Sequence, residues 1–156
     1  MEWIMSRAVT ITGTRSTAHR DLTSYAELFS RYLAPFADAG TCFYIGGAKG
    51  IDSLVLLWLA GNSEARITVV VPGAVQQQPA EARQAITRGG ARIAEVVELG
   101  AQELGAPAFH ARNRWMVDRS EMVIGFPLAG ARTQSGTWYT INYGAEQGKA
   151  QLIVPV

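Results

Sequence analysis

Ser135-Gly136-Thr137-Trp138-Tyr139-Thr140-Ile141-Asn142-Tyr143-Gly144-Ala145-Glu146-Gln147-Gly148-Lys149 reads as a small-residue turn opening a helix that stops at Gly148. A short apolar strand, Ala150 to Val154, follows. The first N–H groups of such a helix have no partner within it, and the helix dipole favours an anion there. Gly136 allows close backbone approach, and Ser135 and Thr137 can cap the helix or bond a phosphate oxygen. Read alone, the same residues also describe an ordinary capped helix after a strand.

Two more turns of this kind lie upstream. The strand Thr41 to Ile45 runs into Gly46-Gly47-Ala48-Lys49-Gly50-Ile51-Asp52 and a helix, Ile51 to Ala60. The strand Arg7 to Thr12 runs into Thr12-Gly13-Thr14-Arg15-Ser16. In an open parallel sheet, such turns gather at the carboxyl edge of the strands, where ligands bind.

The rest of the chain keeps the alternation. A helix is expected over Leu22 to Ala39, capped by Asp21, with apolar Leu22, Tyr25, Leu28, Phe29, Tyr32, Leu33 and Phe36 at helical spacing. Arg66 to Val71 is a continuous apolar run, as in a parallel strand buried on both faces. A helix over Pro79 to Arg88, a weaker strand within Arg92 to Leu99, a helix over Phe109 to Arg119 and a strand over Glu121 to Phe126 complete the pattern. The final helix is expected over Thr137 to Gln147. The fold class is therefore α/β, a three-layer Rossmann-like, doubly wound and mainly parallel sheet, expected as a single domain over residues 1–156. The loops Ala74 to Gln78 and Pro127 to Gln134 are expected to be the mobile parts.

Hydrophobic residues make up 48% of the chain and charged residues 17%, the balance of a chain that buries a core. No apolar run reaches a membrane span of ~18 residues, and Met1 to Arg7 holds no signal-peptide core, so a cytoplasmic location is expected. Cys42 lies in an apolar strand and is read as packing. The net charge of +1 excludes a polycation but leaves room for a local basic patch.

Catalytic patterns are sparse. Neither His19 nor His110 sits in a metal-ligand spacing, and Ser135 lacks a nucleophile elbow. The Gly46 turn is neither a Walker A loop nor a dinucleotide fingerprint, though Lys49 could reach a phosphate. Asp52 could cap the second helix or accept from a ribose hydroxyl. Arg112 and Arg114, two residues apart, cannot share one helical face. One is expected at a ligand cleft and the other beside Asp118, while Asn113 could read a base edge or brace a loop.

Together these segments resemble the SLOG superfamily of Rossmann-like domains, which includes DprA/Smf and the Lonely Guy phosphoribohydrolases. Gly46-Gly47-Ala48-Lys49-Gly50-Ile51-Asp52 is similar to the DprA GGA-x-GID turn, and Arg112-Asn113-Arg114 to its RNR motif. Ser135-Gly136-Thr137 with Thr140, Ala145 and Gly148-Lys149 resembles its SG-x-x-x-TA segment and the glycine that follows. Thr12-Gly13-Thr14-Arg15 stands where the family has a G-S-R turn. Two departures stand out. Leu56 and Leu57 replace an Ala-His pair usual after GID, and no segment is left for the extra domains that commonly flank this fold. Trp58-Leu59-Ala60 resembles the small YspA-type branch, proposed to sense nucleotides.

The resemblance implies ligand or phosphate contacts from Gly13, Thr14, Arg15, Gly46, Gly47, Lys49, Gly50, Asp52, Arg112, Asn113, Arg114, Ser135, Gly136 and Thr137. The implied partner is a nucleotide or related phosphorylated small molecule, with single-stranded DNA as an alternative. No cofactor and no metal are expected. Lonely Guy enzymes carry a glutamate three residues after their Gly-Thr pair; here Trp138, Tyr139 and Thr140 follow, and no carboxylate stands there. Trp115, Met116 and Trp138 fit an exposed apolar face for a homodimer, and core packing explains the same residues about as well.

Overall fold

The computed structural model describes residues 7–130 and 135–156. Six strands form one parallel sheet: β1 (Arg7–Gly13), β2 (Thr41–Gly46), β3 (Arg66–Val71), β4 (Ile93–Glu98), β5 (Met122–Phe126) and β6 (Ala150–Ile153). Five helices connect them: α1 (Leu22–Tyr32), α2 (Ile51–Asn62), α3 (Ala80–Gly89), α4 (Ala106–Asp118) and α5 (Gly136–Glu146). The order across the sheet is β4-β3-β2-β1-β5-β6. The chain therefore winds outward from β1 to β4, returns through α4, and continues from β5 on the other side of β1. That reversal leaves a crevice beyond the carboxyl ends of β1 and β5, where open α/β sheets bind ligands.

The central strands are apolar because both of their faces are covered. Val9, Ile11, Phe43, Ile45, Ile67 and Val69 are almost wholly buried. They meet Val55 and Leu59 of α2 and Phe29 of α1, whose ring packs edge-on to Phe126 of β5. α4 and α5 pack on each other, α4 across β1 to β3 and α5 across β1, β5 and β6. Buried Thr10 bonds Ser120 at 2.7 Å, which satisfies two hydroxyls inside the core. Cys42 is buried beside Thr68, and burial raises its thiol pKa, as packing requires.

Three expectations need correction. The first helix ends at Tyr32, not Ala39. Pro35 has no N–H to continue the ladder, and Ala34–Phe36 closes as a 3-10 turn through the Phe36 N–H to Leu33 carbonyl bond of 2.9 Å. Met116 is no part of an exposed apolar face, because it is almost completely buried. The loop Ala74 to Gln78 is an ordered 3-10 turn, braced by Glu98, whose carboxylate accepts the Val75 N–H at 2.8 Å. Of the loop Pro127 to Gln134, residues 131–134 lie outside the described residues.

Candidate functional site

The floor of the crevice is built where the loop after β1 meets the turn after β2. Gly50 holds a φ of +80°, a conformation suited to glycine. A Cβ there would lie 2.5 Å from the Thr14 carbonyl oxygen and 2.6 Å from the Arg15 Cα. The missing side chain lets the two loops touch, and the Ile51 N–H donates to the Thr14 carbonyl at 3.0 Å. The Gly50 N–H donates to Glu81 of α3 at 2.5 Å. Gly13 ends β1 against the Ile51 side chain, and the Thr14 N–H donates to the Phe126 carbonyl at 3.0 Å. These contacts fix the path of the backbone from which exposed Arg15 projects.

Gly46 performs the second close approach. A Cβ on it would lie 2.6 Å from Arg112 Nη1 and 2.9 Å from Asp52 Oδ2. Two charged side chains from different helices therefore occupy the space that a larger residue at position 46 would fill. Arg112 is 5% exposed, donating from Nε to Asn113 Oδ1 at 2.7 Å and from Nη1 to the Val70 carbonyl at 3.2 Å. Arg112 and Asp52 do not close into an ion pair within 4 Å. Burial pushes the Asp52 carboxyl up to about 7, opposed by the charge of Arg112, by the Ala48 N–H and by Arg15. Burial likewise lowers the Arg112 pKa, against the opposing charge of Asp52.

The roof is α4 and the start of α5. Ser135 caps α5 by accepting the Trp138 N–H at 3.2 Å, and the Thr140 hydroxyl donates to the Gly136 carbonyl at 2.9 Å. Among the described residues, nothing outside its own chain neighbours and helix backbone lies within 4 Å of a Cβ placed on Gly136. The Gly136 and Thr137 N–H groups belong to the first turn and have no partner within the helix. His110 stacks on Tyr139, ring centroids 3.7 Å apart, beside this opening. Arg15 lies over the Phe109 ring at 5.2 Å.

The resulting cleft holds about 450 Å³. Of the residues singled out in the sequence, Gly13, Thr14, Arg15, Asp52, Arg112, Asn113, Ser135, Gly136 and Thr137 line it. Gly46, Gly47 and Gly50 lie beneath the lining, where Gly47 packs against Val71 and Gln78. Lys49 faces an adjoining smaller cavity. Arg114 is not in the cleft: its Nη1 donates to the Tyr139 hydroxyl at 2.7 Å. Nor does either arginine take Asp118, whose carboxylate accepts from the Tyr143 hydroxyl at 2.6 Å.

Phe109, His110, Met116 and Leu128 also line the cleft without having been singled out as ligand contacts. Only Phe109 carried a signal, its place just ahead of the arginine pair. Among the described residues, Asp52 is the one carboxylate in the lining, and no three His, Cys, Asp or Glu side chains converge as metal ligands. The arrangement can hold an anion between a helix start and two guanidinium groups. Among the described residues it offers no second carboxyl for acid/base work.

A parallel sheet that reverses its strand order, with a cleft at the reversal, defines a Rossmann-like α/β domain. The chain belongs to the family of DNA recombination-mediator protein A, whose family model matches residues 1–156. The SLOG resemblance carried by the four motifs agrees with this.

Among solved structures, the fold is similar to DNA processing protein A from Helicobacter pylori, described for its mode of binding single-stranded DNA. That match has 20% identity and a TM-score of 0.68, and covers 97% of this chain and 66% of the other. The chain thus spans just under two thirds of that relative. It is also similar to the X-ray structure of TM1055, at 13% identity and a TM-score of 0.58, covering 93% of this chain and 72% of the other. No curated protein matches the chain. No helix among the described residues is long and apolar enough to cross a membrane.

Proposed function

We propose that this domain binds a nucleotide or nucleotide derivative, gripping its phosphate in the cleft at the β1/β5 reversal. The observation that carries this reading is the convergence of three elements on one opening. The start of α5 presents N–H groups that have no partner within the helix, and Arg15 and buried Arg112 line the same space. A buried guanidinium that closes no ion pair among the described residues is costly even with Asp52 nearby, and a bound phosphate would offset that cost. Asn113, held against Arg112, is placed to bond a ribose or base.

Single-stranded DNA is the second reading. It is favoured by the family and by the Helicobacter pylori relative, described as binding such a strand. The net charge of +1 supplies little of the long-range attraction that a long strand exploits.

A thermal-shift screen of mononucleotides and short single-stranded oligomers, repeated over a salt series, tests the reading. A mononucleotide at tens of times its dissociation constant should stabilise the domain by about 2 kcal/mol, with a shallow salt dependence. Stabilisation by oligomers alone, lost steeply as salt rises, would instead favour the strand. No stabilisation by any phosphate compound would overturn both.

A further inference from the structure

The cleft that two guanidinium groups make attractive to an anion also contains an acid. Asp52, 7% exposed, lines it together with Arg15 and Arg112. Its Oδ2 and Arg112 Nη1 approach the same point over Gly46, 2.9 Å and 2.6 Å from where a Cβ would stand. Yet among the described residues the two side chains close no ion pair. Arg112 instead donates from Nε to Asn113 and from Nη1 to the Val70 carbonyl. The other charged or titratable groups around Asp52 are few. Arg15 comes from the loop after β1 and His110 from α4, both in the same lining. Lys49, in the turn before Asp52, faces the adjoining cavity, and the carboxylate of Glu81 on α3 accepts the Gly50 N–H. Among the described residues, the start of α5 brings only the hydroxyls of Ser135 and Thr137 to this lining.

Arg112, the Ala48 N–H and Arg15 favour the ionised carboxylate, but burial outweighs them and pushes the Asp52 carboxyl up to about 7. A phosphate bound in the cleft draws on those same two guanidinium groups. It also sets a negative charge beside the carboxylate in a poorly solvated space, where like charges repel strongly. The carboxylate then loses the charges that held it ionised, and protonation removes the repulsion. We propose that Asp52 and the bound anion compete for Arg112 and Arg15, so that binding in the cleft is coupled to uptake of a proton by the Asp52 carboxylate. The proposal rests on the cleft being a nucleotide site. The proton comes from solvent, and the only covalent bond formed is the carboxyl O–H. Because binding takes up a proton, affinity is highest below neutrality and falls as pH rises through about 7. The cleft thereby holds its ligand in mildly acidic solution and releases it in mildly alkaline solution.

The test is calorimetric titration with the methyl ester of adenosine 5′-monophosphate, a phosphodiester whose single charge stays constant between about pH 5.5 and pH 8.5. Titrations at about pH 7.5 in two buffers of different ionisation enthalpy count the protons taken up on binding. The wild-type protein should take up roughly half a proton or more. Asp52→Asn keeps an acceptor for the Ala48 N–H but cannot ionise, and it should take up none. The affinity of the wild type relative to Asp52→Asn should fall about tenfold from pH 5.5 to pH 8.5. His110→Gln, which removes the imidazole from the lining, should retain the uptake.

Uptake that survives in Asp52→Asn, or vanishes in His110→Gln, would assign the proton to another group and overturn the proposal. An affinity ratio that does not change with pH would overturn it as well. Should Asp52→Asn fail to fold, uptake by the wild type that is retained in His110→Gln supports the coupling, and zero uptake by the wild type overturns it. Binding without proton uptake would overturn the coupling alone and leave the cleft reading standing. No binding of the ester at any pH, up to millimolar concentration, would overturn the cleft reading with it.

Discussion

Asp52 is a carboxylate in surroundings its type does not prefer. It is buried beside a guanidinium with which it closes no ion pair, and burial pushes its carboxyl up from 3.8 to about 7. Between those values the folded protein holds a proton that the unfolded chain has released. Its contribution to stability is therefore present at low pH and lost as pH rises through about 7, by at most about 4 kcal/mol. Denaturant titrations at pH 5 and pH 8 should show the wild type losing more stability than Asp52→Asn; equal losses would show that Asp52 is ordinarily ionised in the fold. Gly136 is the opposite case, with open space where its side chain would stand. Gly136→Val should keep the melting temperature within a few degrees and weaken phosphate binding about tenfold or more, because a side chain would block the helix start. Normal binding by the folded variant would place the anion elsewhere. The sequence showed that Arg112 and Arg114 must diverge, but not which one entered the cleft. That choice depends on the bare face of Gly46, a packing fact that crosses from β2 to α4.

At the scale of elements, the contact between the first and second turns holds the floor of the cleft. Gly50→Ala would strain a positive φ and press a Cβ onto the Thr14 carbonyl. A loss of roughly 1–3 kcal/mol in chemical denaturation is expected, and an unchanged midpoint would show that the loops can separate freely. The elements themselves were largely readable. Ile67–Val71 is buried, and apolar but for Thr68, where α2 and α4 pack on the strand, and Arg66–Val71 has the expected bounds. Asp21 caps α1 as expected, accepting the Ser24 N–H at 2.8 Å. The far end of α1 was misread because its apolar spacing continues through Phe36, while Pro35 breaks the hydrogen-bond ladder. The smaller cavity adjoining the cleft was not legible at all. It is formed by the Gln78–Pro79 turn folding over Lys49, and neither residue marks the other in the sequence.

Across the whole molecule, the sheet order decides what the cleft can do. The reversal at β1 brings turns about 120 residues apart to one edge, yet among the described residues it brings a single carboxylate, Asp52, into the lining. Trp138, Tyr139 and Thr140 occupy the first turns of α5, where a phosphoribohydrolase of the Lonely Guy type carries its glutamate. A missing acid or base typically costs ~10²–10⁴-fold in rate. Incubation with adenine and guanine nucleoside monophosphates should therefore release no free base above background by chromatography, and robust release abolished by Arg112→Ala would establish catalysis instead. The central claim, that a phosphate sits between the start of α5 and the β1 turn, is tested most directly by backbone amide NMR during titration with adenosine 5′-monophosphate. Saturable shifts should concentrate at Gly136, Thr137, Thr14 and Arg15. Saturable shifts confined to other residues, or none at millimolar nucleotide, would contradict it.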